Sequence, residues 1–134
     1  MGFALALPIT DRRTSHDFYR AALSLEPVGR PADDGLPEPL RFRLAAGAHL
    51  VLVPTGGFGW VAADHDVAER GHSECILSHL VPSVAEVDAV TERARAAGAT
   101  IKVEPGDPGW GYSSTLADPD GHLWMIQVAA SGTP

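Results

Sequence analysis

Residues 111–128 read GYSSTLADPDGHLWMIQV, two runs of strand-forming residues around Asp118-Pro119-Asp120-Gly121. Asp and Pro favour entry into a turn and Gly supplies a positive-φ exit, so the tetrapeptide predicts a hairpin. Its strands are expected over 112–117 and 122–129. Upstream, LRFRLAA (40–46) alternates apolar and polar residues, and HLVLV (49–53) follows Gly47 as the second strand of another hairpin. Laid on each other, LAAGAHLVLV (44–53) and LADPDGHLWMI (116–126) match Leu44 with Leu116, His49 with His122 and Leu50 with Leu123. The same register matches Val51 with Trp124, Leu52 with Met125 and Val53 with Ile126, with one residue of difference in turn length.

What precedes each hairpin also repeats. FALALPI (3–9) reads as a strand, and Asp11 as the N-cap of a helix through about Leu23, with Phe18, Ala22 and Leu23 on one face. ECILSHLV (74–81) reads as a strand, and Ser83 caps a helix through Ala97, striped by Val84, Val87, Val90 and Ala94 and ended by Gly98. ATIKVEP (99–105) is the next strand; its counterpart near 26–31 is poor in β-formers. GRPADDGLPEP (29–39) is a loop, TGGFG stops the strand at 49–53, and 60–73 has little periodicity and reads as a connection. Matching Asp11 with Glu86 pairs Ala4 with His79, each seven residues before its acid. This predicts an α+β chain duplicated as two βαβββ modules, about 1–56 and 74–130, joined by 57–73. In each, a helix covers one sheet face and the other face curves around a shared cavity. Strand alternation then places Leu50, Leu52, Leu123, Met125 and Gln127 on the cavity side and Trp124 in the helix-packed core.

With 134 residues and 14.1 kDa, the chain has the length of one domain or two half-domains. It can bury roughly two-thirds of its unfolded surface without a disulfide or structural metal. Hydrophobic residues at 45% and charged residues at 20% exclude a disordered or collagen-like chain. No apolar run approaches the ~20 residues of a membrane span, the first residues lack a signal peptide's basic flank, and the cytoplasm is the expected compartment. A single cysteine, Cys75, excludes an internal disulfide framework. A net charge of −7 argues against a nucleic-acid partner and mildly favours a cationic ligand.

DRRTSHDFYRAALSLEPVG (11–29) resembles the first module of the vicinal oxygen chelate superfamily, and GYSSTLADPDGHLWMIQV the end of its second module. The superfamily includes glyoxalase I, extradiol dioxygenases, fosfomycin-modifying enzymes and bleomycin-binding resistance proteins. The resemblance implies paired βαβββ modules, usually in a homodimer with two cavities. It also implies four metal ligands, typically His or Glu, at pseudo-symmetric strand positions. Carried over by register, those positions are Ala4, Leu52, His79 and Met125. Only His79 suits a hard or borderline divalent ion, and Met125 offers a soft thioether. A catalytic zinc needs three protein ligands and an open position. The expectation is therefore a metal-free chain without catalytic residues or cofactor. It sequesters a hydrophobic or aromatic small molecule, an antibiotic among the candidates, as the bleomycin-type proteins do. The alternative is a glyoxalase-like lyase or isomerase, or a dioxygenase-type enzyme, using His79 and Tyr112 or relocated metal ligands. A third reading is a structural or regulatory dimer with a filled cavity.

The candidate ligand contacts are Leu50, Leu52, Phe58, Trp60, His79, Trp110, Tyr112 and Met125. Trp60 in GGFGW and Trp110 in GDPGWGY lie among glycines that core strands rarely carry, which points to ligand or dimer contacts. His79 reads either as a satisfied strand histidine or as a polar handle in the cavity. Cys75 lies four residues from His79, about 13 Å along a strand, too far for a nucleophile–base pair. It is expected to be a small buried hydrophobe. Asp64, His65 and Asp66, with His72 and Glu74, follow no known ligand spacing. Glu104, Asp107, Asp118 and Asp120 are expected to be solvated turn residues.

Overall fold

The two predicted helix caps form. In the computed structural model, which describes residues 1–130, Asp11 Oδ2 accepts from the Thr14 N–H at 2.8 Å and starts α1 (Arg12–Leu23). Ser83 Oγ accepts from the Glu86 N–H at 3.2 Å and starts α3 (Val84–Ala96), and Gly98 follows at φ +110°. Such caps satisfy N–H groups that the first turn leaves unpaired.

The chain divides into a unit from Met1 to Glu69 and a second from Arg70 onward. The first carries β1 (Phe3–Ile9), α1, β2 (Glu26–Val28), β3 (Leu40–Ala45), β4 (Ala48–Pro54) and α2 (Thr55–Ala62). Its sheet has the order β1-β4-β3-β2, with β1 parallel to β4 and the other pairs antiparallel. The second carries β5 (Ile76–Val81), α3, β6 (Thr100–Gly106), β7 (Ser113–Ala117) and β8 (Leu123–Val128). Its order, β5-β8-β7-β6, and its strand directions repeat the first. The duplicated βαβββ architecture read from the sequence is the architecture observed.

In the first unit, Leu7, Ile9, Leu40, Phe42, Leu50 and Leu52 form the buried sheet face, with Phe18, Tyr19, Ala22 and Leu23 of α1. The Tyr19 ring lies 5.9 Å from that of Phe42 and meets Phe18 edge-on at 5.1 Å. Arg12 holds the following loop, with its Nε 3.1 Å from Asp34 Oδ2 and a second nitrogen 3.2 Å from Glu38. In the second unit Val87, Val90 and Ala94 are buried, as are Leu116, Trp124 and Ile126. Val84, expected in that stripe, is 48% exposed because it lies in the helix's first turn. Thr91 is buried instead: its hydroxyl donates to the Val87 carbonyl at 2.7 Å and meets Ser114 Oγ at 2.7 Å.

Several local expectations are corrected. The stretch from Thr55 is a helix, although Gly56, Gly57 and Gly59 are poor helix formers. The Thr55 hydroxyl anchors it by donating to the Ile9 carbonyl at 3.0 Å, and no α2 residue is fully buried. Cys75 is exposed, because β5 begins one residue later. Asp118 and Asp120 are buried, not solvated. Asp118 Oδ1 accepts from the backbone N–H groups of Asp120 and His122, both at 2.9 Å. Glu104 is solvated as expected but lies in β6 rather than in a turn, and it pairs with Arg95.

Candidate open-face binding site

Each sheet has a helix-packed face and an open face, and register decides which residues occupy them. In β4, Leu50 and Leu52 are 0% and 1% exposed, so the open face takes His49, Val51 and Val53. In β8, Trp124 and Ile126 are buried, so Leu123, Met125 and Gln127 are open. Trp124 is in the core, as expected, but Leu50 and Leu52 do not share the face of Leu123 and Met125. The hairpin alignment was one residue out of step beyond the turn, and a one-residue slip exchanges the two faces of a strand. The burial-matched pairs are Leu50 with Trp124, Val51 with Met125, and Leu52 with Ile126.

The other candidates separate in the same way. His79 lies opposite Ile126 in the sheet, on the side covered by α3. Burial, helped by the Arg93 charge on α3, holds its imidazole below the ordinary pKa of 6.5. Ile76, Ser78 and Leu80 are the open-face residues of β5, and all three are exposed. Tyr112 donates its hydroxyl to Asp88 Oδ1 on α3 at 2.7 Å, which turns it to the helix side and raises its pKa. His79 and Tyr112 both lie on the helix side of the second sheet, away from Met125. Trp60 on α2 is 84% exposed, and Trp110, between β6 and β7, is 66% exposed. Phe58 is half-buried on α2. Met125 retains its expected side, flanked by Ser78 and Thr115.

On the first sheet's open face, Val51 lies between Ala6 of β1 and Arg41 of β3. Ala4 is two residues before Ala6, as Ile76 is before Ser78, so the four register-equivalent positions are Ala4, Val51, Ile76 and Met125. They offer no nitrogen or oxygen side-chain donor. Among the described residues no group of three or more His, Cys, Asp or Glu side chains is placed to hold a metal. The residues therefore do not fit the metal that enzymes of this architecture bind at those positions.

One feature absent from the sequence reading is a groove of about 650 Å³ within the second unit, walled by β6, β7, the segment from Arg70 to Ser73, and the Asp118–Gly121 turn. Its walls approach closely at one point: a Cβ on Gly121 (φ +89°) would lie 3.0 Å from the Gly71 nitrogen. The sequence signal was Lys102 standing between the apolar residues Ile101 and Val103.

Two βαβββ units, each with one helix-packed and one open sheet face, define the fold class. The family model of the Glyoxalase/Bleomycin resistance protein/Dioxygenase superfamily matches residues 4–126, and the chain belongs to that superfamily. No curated protein sequence matches it. Among solved structures, it is similar to a glyoxalase-related enzyme from Fulvimarina pelagi, with 28% identity and a TM-score of 0.82 over 96% of this chain and 88% of that one. It is also similar to hypothetical protein SA1046 from S. aureus, with 23% identity and a TM-score of 0.78 over 96% and 92% of the two chains. TioX from Micromonospora sp. ML1 shares the fold at 21% identity, with a TM-score of 0.68 over 97% and 99%.

Proposed function

We propose that this protein binds and sequesters a hydrophobic or aromatic small molecule, such as an antibiotic, without a metal and without turning it over. One observation carries the reading. The open-face positions equivalent to metal ligands hold Ala4, Val51, Ile76 and Met125, whose side chains present hydrocarbon and one thioether. Side chains of this kind remove apolar area from water on binding but cannot polarise a carbonyl or activate water. The proposed contacts on the first unit are Val51 and Val53, with Phe58 and Trp60 available for stacking, and those on the second are Leu123 and Met125, with Trp110. Tryptophan fluorescence titrated with a panel of planar aromatic antibiotics tests it. Saturable one-to-one quenching by at least one, with the drug recovered unchanged, is the expected result. A panel without any quenching overturns the reading.

A homodimer is the proposed assembly. β1 and β5 are edge strands, and they expose Phe3 (68%), Ile76 (49%) and Leu80 (49%). The opposite edges are blunted, β2 by its three residues and β6 by two register shifts. Unprotected apolar edges are surfaces that proteins cover.

The second reading, a metal-dependent lyase, isomerase or dioxygenase, is favoured by the likeness to the F. pelagi protein, described as a glyoxalase-related enzyme. It needs donors from elsewhere in the chain. Stoichiometric nickel, zinc, manganese or iron in protein purified without added metal would establish it at the expense of the first.

A further inference from the structure

We propose that the groove of the second unit binds an oxyanion, a carboxylate or phosphate group carried on the apolar ligand, through Lys102 and Arg70. The assignment rests on the sequestration reading and specifies its ligand class. Most of the charge on this molecule is negative, and the cations Arg12, Arg20 and Arg95 are spent in ion pairs. Of the cations without an ion pair, Lys102 and Arg70 stand together. Both line one groove, and neither has a carboxylate partner among the described residues.

Their placement is built into the fold. The β6 register shifts between Ile101 and Val103, so Lys102 is the extra residue of a bulge, a device that re-aims a side chain out of the regular pleat. Arg70 donates to the Pro119 carbonyl. That bond pins the guanidinium against the turn, while other N–H donors of its fork remain for an anion. Asp118 also lines the groove, but its Oδ1 already accepts two backbone N–H groups and the residue is 4% exposed. Thr100 and Thr115 add hydroxyls, and Leu123 adds an apolar surface. Two cations, hydroxyl donors and a hydrophobic wall suit an amphiphile with a flat apolar body and one anionic end. The overall charge of −7 favours a cation at long range, yet within a few Å of an ammonium and a guanidinium the local field decides, because salt screens distant charges beyond about 8 Å.

Calorimetry with 1-naphthoate and the neutral isostere 1-naphthamide tests the assignment on the full chain. The expected result is at least tenfold tighter binding of naphthoate. Lys102→Gln and Arg70→Gln should each reduce that preference to threefold or less, chiefly by weakening naphthoate binding, with the far-ultraviolet circular dichroism of a folded chain retained. Equal binding of the two probes, or a preference that survives both substitutions, overturns the anion site and leaves aromatic sequestration standing. Binding of neither probe also overturns it, while the antibiotic panel decides sequestration separately.

Discussion

Beneath α3, the His79 imidazole is easier to protonate in the unfolded chain than in the folded one, because burial and Arg93 both disfavour its charged form. Well above pH 6.5 the imidazole is neutral in both states and contributes no pH dependence. As pH falls below 6.5 the unfolded chain takes up the proton first, so stability falls until the depressed folded pKa is passed. Melting curves between pH 7.5 and 5 should show this loss, and His79→Gln should flatten it; an unchanged slope in the variant would falsify the assignment. Arg41 invites a second measurement. Its Nε is buried on the first sheet's open face without a protein hydrogen-bond partner. Arg41→Met keeps the aliphatic stem and removes that desolvation cost, so it should stabilise the chain by about 1 kcal/mol. Chemical denaturation reads the change.

At the level of elements, α3 is fastened to β7 by a buried hydroxyl chain, in which Ser114 meets Thr91 and Thr91 donates to Val87. Thr91→Val strands the Ser114 hydroxyl and should cost about 1–3 kcal/mol. Thr91→Val with Ser114→Ala removes both partners and should cost less than the sum of the single changes, as a double-mutant cycle would measure. Asp11→Ala removes the α1 cap and should cost about 1 kcal/mol. These caps were legible because capping is chemistry between residues three apart, as for Asp11 and Thr14. The faces were not fully legible. Trp124 announces its own burial by size, but Val51 and Leu52 are both apolar, and only the turn geometry tells which one points inward. From that single ambiguity came the misplacement of Leu50 and Leu52. The groove lay further out of reach, because it brings Arg70 to a turn about fifty residues away in the chain.

On the scale of the whole molecule, duplication gives two similar sheets whose cations stand at different positions. The first sheet presents Arg41 beside Val51, and the second presents Lys102 near a wall that includes Leu123. No helix among the described residues is long and apolar enough to cross a membrane. Exposed Phe3, Ile76 and Leu80 lead to a concrete expectation: sedimentation at micromolar concentration should give about twice 14.1 kDa. Leu80→Lys should shift the population toward a folded monomer, by placing a charge in the covered edge.

Cys75 is the sole thiol of the chain, it is exposed, and it stands two residues beyond Ser73 on the groove wall. A maleimide dye would therefore attach at one known address, within reach of whatever enters. The native sequence so labelled would serve as an optical sensor for screening natural-product extracts, without a single engineered residue.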